Sequence, residues 1–127
     1  MNYNLNNYNI MIIDDNLMNR IIVKDILESY NANIIEAENG FDGLKKLDKK
    51  IDVIILDANM PKMDGFEFVD RIRKLYDYKK LPIIMLTADL DTIDKLKSDK
   101  TDVSVILEKP VNPDILVHYV LNVLSNS

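Results

Sequence analysis

The chain has 127 residues, 47% of them hydrophobic, which is enough to bury one core and falls within the usual single-domain range. It contains no cysteine, which excludes a disulfide framework, a thiolate metal site and a cysteine nucleophile together and leaves oxygen as the expected metal donor. Sixteen Lys and Arg against 21 Asp and Glu give a net charge of -5, which repels a phosphate backbone; without a long Lys/Arg run, no direct nucleic-acid binding is expected.

Residues 1–8 are uncharged and Asn-rich rather than basic with a long apolar core, and no apolar run reaches the length of a membrane span. A soluble cytoplasmic protein without membrane contact is expected, with residues 1–8 as a segment ahead of one domain over 9–125. Short runs rich in Ile and Val read as buried strands: Asn9 to Ile13, Asn33 to Ala37, Ile51 to Leu56, Ile83 to Leu86 and Val103 to Leu107. Stretches of helical period separate them. These carry Met18, Ile21, Ile22, Ile26, Leu27 and Tyr30, then Phe41, Leu44 and Leu47, then Phe68, Val69, Ile72 and Leu75. A weaker pattern (Leu90, Ile93, Leu96) follows, and a last helix starts cleanly with Asn112 as N-cap, Pro113 at its first position and Asp114 in its first turn. Five strand and helix pairs joined by short loops imply right-handed crossovers and a parallel sheet covered on both faces, a doubly wound α/β domain.

Ligands of such folds bind beyond the carboxyl ends of the strands. Those ends carry Asp14 and Asp15, then Asp57 and Asn59, then Thr87 and Ala88, then Lys109 and Pro110. Three crowded carboxylates repel one another unless a cation is present, and Mg²⁺, a hard oxygen-seeking ion that keeps several waters, suits them. Phosphoryl transfer needs an in-line nucleophile and neutralised equatorial oxygens. Asp57 can attack, Lys109 can neutralise charge, Thr87 can donate a hydrogen bond, and Ala88 leaves room for the phosphoryl group to approach the backbone.

The segments IMIIDDN, VIILDANMPKMDG, PIIMLTA and LEKP stand in the order and spacing of the response-regulator receiver family, which this chain resembles over nearly its whole length. The resemblance implies a CheY-like, flavodoxin-like sheet with strand order 2-1-3-4-5 and five helices. It implies Asp57 as phosphorylation site, Asp15 and Asp57 as direct Mg²⁺ ligands, Asp14 as a ligand through water and the Asn59 carbonyl as a third protein ligand. Thr87 and Lys109 become the signalling hydroxyl and the phosphate-binding amine, and the Lys109-Pro110 bond is expected to be cis. The implied partners are a sensor histidine kinase or a histidine phosphotransfer protein, and a downstream protein target. With Ser127 directly after the last helix, a single-domain regulator or phosphorelay intermediate is expected, and the DDNLMNR stretch equally resembles an excised hybrid-kinase receiver. Two positions depart from the family: Ile106 stands where Tyr or Phe is usual, and Asp102-Val103 where Gly-Ala is usual.

Blander readings accompany each residue. Asp14 and Asp15 suit a helix start, Asp64-Gly65 suits a turn, Thr87 a cap, and Lys109 or His118 a solvated surface. Joint placement at the strand ends, rather than residue type, argues for function. Haloacid dehalogenase-like phosphohydrolases want Asp-x-Asp after their first strand and usually a cap. A flavodoxin-like FMN site wants hydroxyls and Gly where Asp14 and Asp15 stand. A pseudo-receiver loses one of the acids or the lysine.

Overall fold

A computed structural model of the chain describes residues 4–89, 91 and 102–125. Strands β1 (Asn9–Ile13), β2 (Asn33–Ala37), β3 (Val53–Asp57), β4 (Ile83–Thr87) and β5 (Val105–Glu108) form one parallel sheet in the order β2-β1-β3-β4-β5. Four α-helices lie among the described residues: α1 (Leu17–Glu28), α2 (Gly40–Lys46), α3 (Gly65–Arg73) and α4 (Pro113–Ser125), with a 3-10 turn at Tyr76–Tyr78. The helical pattern at Leu90, Ile93 and Leu96 lies outside the described residues. Strand order and doubly wound class agree with the sequence reading.

The apolar runs are explained by burial on both faces. Every residue of β3 and β4 is buried, and the period-2 alternation of strands divides their side chains between two cores. Ile10, Ile12, Val53, Ile55, Ile84 and Leu86 face α1 and α4, where they meet Val23, Leu27, Leu116, Val117 and Val120. Met11, Ile13, Ile54, Leu56, Ile83 and Met85 face the other way, against Phe68, Val69, Ile72 and Met63. Asn112 begins α4 as its sequence suggested, with its Oδ1 accepting from the Asp114 and Ile115 N–H groups at 2.9 and 3.2 Å.

The helical stripes need correcting. α1 buries Val23 and Leu27, whereas Met18, Ile21 and Ile22 are 62%, 37% and 50% exposed. The helix is apolar on more than one face, and periodicity alone does not say which face meets the sheet. In α2 the buried positions are Gly40 and Gly43, because the helix lies so close that a Cβ on Gly43 would meet Ile13 Cδ1 at 2.6 Å. Phe41 is turned to the surface, where its ring lies 5.7 Å from the Arg71 guanidinium carbon. Leu75, expected in the α3 stripe, is exposed just beyond the end of that helix.

Two connections fix the sheet at its amino-terminal side. Arg73 at the end of α3 donates to Tyr78 O at 2.8 Å and to Asp102 O at 3.2 and 2.7 Å, joining α3, the 3-10 turn and the approach to β5. Burial pulls the Arg73 pKa below its ordinary value, with the charge of Asp102 opposing that pull. Packing also begins ahead of β1. Leu5 is fully buried, its N–H donates to Tyr30 O at 2.7 Å, and Tyr8 O accepts from Asn33 N–H at 2.9 Å. Leu5→Ala is therefore expected to cost roughly 2–5 kcal/mol, the range for truncating a buried leucine. Urea unfolding measures this, and wild-type stability in the variant would show Leu5 to be dispensable to the core.

Candidate functional site

The carboxyl ends of β1, β3, β4 and β5 bring their following residues to one edge of the sheet, and the ladder runs one step beyond the strands to hold them. Asp14 N–H donates to Ala37 O at 3.2 Å, Ala58 N–H to Leu86 O at 2.9 Å and Lys109 N–H to Thr87 O at 2.8 Å. Asp14, Asp57 and Thr87 are the buried polar residues of the described chain, at 4%, 5% and 0% exposure. Asp15 is exposed beside them. Carboxylate oxygens of Asp14, Asp15 and Asp57 lie within 4.8 Å of one another.

Lys109 enters this group from the end of β5, its ammonium 3.1 Å from Asp14 Oδ2 and 3.0 Å from Asp57 Oδ1. Asp14 Oδ1 accepts from Asn16 N–H at 2.9 Å, and Asp57 Oδ1 from Asn59 N–H at 3.3 Å. Burial raises the Asp57 pKa above its ordinary value and the charge of Asp14 adds to this, while the hydrogen bond and charge of Lys109 oppose it without overcoming it. For Lys109 burial works against the ammonium, but the hydrogen bond and charge of Asp57, reinforced by Asp14, outweigh it and raise the lysine pKa.

On the β4 side the Thr87 hydroxyl accepts from Asn59 Nδ2 at 3.3 Å and from Asp89 N–H at 3.0 Å. Ala88, next in sequence, is exposed. The structure thus gathers Asp14, Asp15, Asp57, Asn59, Thr87 and Lys109, with Ala88 at the rim. Lys109-Pro110 is cis. His118 is exposed on α4, away from the group, with its ring edge-on to Tyr119 at 5.2 Å.

Two contributors were not assigned to the site in the sequence: Arg20, and Gly65, which was read only as part of a turn. Arg20 Nη1 donates to Asp14 O at 2.6 Å; its signal was a basic residue one turn into α1, inside the DDNLMNR stretch. Gly65 brings the start of α3 against the end of β3, where a Cβ would meet Asp57 O at 2.8 Å and Ala58 Cα at 2.9 Å, and its N–H donates to Ala58 O at 2.9 Å. Asp64 ahead of it caps α3, its Oδ1 accepting from Glu67 N–H at 2.9 Å.

The sequence profile of the response regulator receiver domain matches residues 10–121. The chain belongs to this family. It is similar to the chemotaxis protein CheY1 of Helicobacter pylori, 33% identical over 110 residues that cover 84% of this chain and 89% of that protein. It is also similar to the sensor histidine kinase CheAY of the same organism, 33% identical over 112 residues. That match takes in 86% of this receiver chain but only 14% of the kinase. Among solved structures, the chemotaxis protein CheY4 of Vibrio cholerae superposes with a TM-score of 0.83 at 34% identity, covering 91% of this chain and 98% of that one. This is a receiver domain of two-component signalling.

The electrostatics of Asp57 yield a pH dependence. Because its pKa is raised on folding, the native state holds that proton more tightly than the unfolded chain, so this group's contribution to stability falls as pH rises from the ordinary aspartate range through the raised value. Asp57→Asn removes the slope, and Lys109 keeps Asp14 at 3.1 Å, so no buried ammonium is left alone. The variant is expected to melt higher than wild type at neutral pH without divalent metal, and equal or lower melting would refute this account of the site's charge.

Proposed function

We propose that Asp57 accepts a phosphoryl group from a phosphohistidine on a sensor histidine kinase or histidine phosphotransfer protein and passes the signal on by conformational change or onward transfer. The carrying observation is the gathering of three carboxylates, mutually within 4.8 Å, beside the Lys109 ammonium, which contacts two of them, Asp14 and Asp57. This donor set, all oxygen and partly open to water through Asp15, fits Mg²⁺. Asp15, Asp57 and the Asn59 backbone carbonyl would hold the ion directly, with Asp14 through water. When bound, the ion screens the carboxylates from each other and from the incoming phosphoryl group.

In the transfer an Asp57 carboxylate oxygen attacks phosphorus and the phosphorus–nitrogen bond of the donor breaks; with the donor ring protonated on its other nitrogen, the returning electron pair leaves a neutral imidazole. The Lys109 ammonium shifts from the Asp57 carboxylate to a phosphoryl oxygen, where it neutralises developing charge. The Thr87 hydroxyl donates to another phosphoryl oxygen, and Ala88 leaves the neighbouring backbone open to it. Asn59 Nδ2, which rests 3.3 Å from Thr87 Oγ1, is placed to orient the water that later hydrolyses the acyl phosphate. The domain so catalyses only its own phosphorylation and dephosphorylation.

The partner reading draws on the surface beside the acids. Leu17, Met18 and Ile22 on α1 are at least half exposed, and a cleft lined by Asp14, Ile22, Lys109, Pro110 and Val111 opens next to them. An apolar helix face of a phosphodonor would cover this patch while presenting its histidine to Asp57. A cytoplasmic setting follows from that partner class, and among the described residues no helix is long and apolar enough to cross a membrane.

Incubation with acetyl phosphate and Mg²⁺ followed by intact mass is the direct test. Wild type should gain one phosphoryl group, and the gain should disappear with chelation of Mg²⁺ and in Asp57→Asn; undiminished labelling of that variant would sink the assignment.

Ile106 shapes the expected response. It sits half-buried in β5 opposite Met85 and packs against the Phe68 core, where the family's aromatic ring would turn inward as the Thr moves. A β-branched side chain is stiff at χ1 and cannot repeat that exchange. On addition of beryllofluoride, a mimic of the phosphoryl group, the largest amide NMR shifts should lie at Asp14 to Met18 and just beyond Thr87. Shifts centred on Ile106, with those segments silent, would reject this picture of the output.

A further inference from the structure

Arg20 binds the acid-bearing loop with both its backbone and its side chain. Its N–H donates to Asn16 O at 3.1 Å and its Nη1 to Asp14 O at 2.6 Å. Its Nε lies 3.4 Å from Glu36 Oε1 on β2, with only 13% of the Arg20 side chain exposed. Glu36 is itself fixed: Lys24 lies 3.3 Å from its other carboxylate oxygen, and Lys46 donates to its backbone carbonyl at 2.6 Å. The guanidinium is thus a strut between a fixed point on β2 and the peptide that joins Asp14 to Asp15.

That peptide is a rigid plane, so a grip on the Asp14 carbonyl sets the direction in which the Asp15 backbone leaves it. Asp14 is held further by its N–H on Ala37 O at 3.2 Å and by the Asn16 N–H on its carboxylate at 2.9 Å. Asp15 is exposed, and its aim depends on the backbone that carries it. The geometry points to Arg20 as a positioning residue that aims Asp15 at the divalent cation, an inference that rests on the Mg²⁺ reading of Asp14, Asp15 and Asp57. A planar fork that serves two acceptors at once is what the task requires.

Charge alone demands the opposite outcome from positioning, which makes the two separable. A guanidinium near three carboxylates repels an incoming divalent ion, so by Coulomb's law its removal tightens Mg²⁺ binding. Loss of the strut loosens it, because Asp15 then samples directions that miss the ion.

The experiment titrates metal-free wild type, Arg20→Ala and Asp15→Ala with Mg²⁺, following the amide NMR shifts of Asp14 to Asn16, with thermal melts to establish that each variant is folded. Arg20→Ala is expected to weaken Mg²⁺ binding roughly tenfold, the scale of loss when the support of a metal ligand is removed. Binding as tight as wild type, or tighter, overturns the inference. If Arg20→Ala does not fold, Arg20→Lys is read by the same criterion; it keeps the charge, so any loss it shows is a loss of geometry. If wild type itself shows no saturable Mg²⁺ response, or Asp15→Ala binds as wild type does, the Mg²⁺ reading fails and takes this inference with it. Saturable wild-type binding with an unaffected Arg20→Ala removes this inference alone.

Discussion

The ammonium of Lys109, 3.1 Å from Asp14 and 3.0 Å from Asp57, is the contact on which the site depends. It joins the ends of β1, β3 and β5, and so spans the centre and one edge of the sheet through a single charge. Two carboxylates buried to this degree do not stay ionised side by side without a cation, because water screens them little. Lys109 supplies that cation in the resting molecule, and its own raised pKa is the other half of the same interaction. The arrangement is stable only while Lys109 has acids to serve, so a change at Asp57 is felt at the lysine and through it at Asp14.

The parallel sheet makes such a group available. Strands running in one direction deliver all their carboxyl ends to one edge, and the ladder bonds that continue past β1, β3 and β5 keep Asp14, Ala58 and Lys109 in register there. The helices are then free to differ. α2 comes close through its glycines, and α3 is brought against the end of β3 through Gly65, whereas α1 buries one face and leaves another to solvent. The acids lie beside that open apolar face, so the same edge of the molecule offers both the reacting groups and a surface on which a partner could rest.

Much of this was legible in the sequence. Buried parallel strands read as runs rich in Ile and Val, and β1, together with the partly exposed edge strand β2, was placed to the residue. The residue following each strand could then be read as a site residue once the topology was assumed. β3 and β5 begin two residues later than the apolar runs suggested, because Ile51 and Val103 are apolar without belonging to the ladder. The inward face of α1 was read in part: Ile26, Leu27 and Tyr30 of the expected stripe reach the core, but Val23 was missed and Met18, Ile21 and Ile22 lie on an equally apolar face turned to solvent. Leu5 was hidden by asparagines, since composition averages away a single anchor. Arg20 offered only a basic residue inside the DDNLMNR stretch, and its grip on the Asp14 carbonyl could not be read, because carbonyls carry no sequence signature.

A similar silence surrounds Arg73, which donates to the main-chain oxygens of Tyr78 and Asp102 at the far end of the sheet. Because those acceptors are present in any residue, the hydrogen bonds themselves place no demand on the side chains at positions 78 and 102, and the Asp102 carboxylate adds only its charge beside the guanidinium. The demand is thereby uneven across one interaction: it needs the arginine side chain, while its two partners supply only main-chain oxygens. A glycine at position 102 would leave the bonded atom unchanged. A search for co-varying pairs would pass over this contact, although it ties three segments of the chain together.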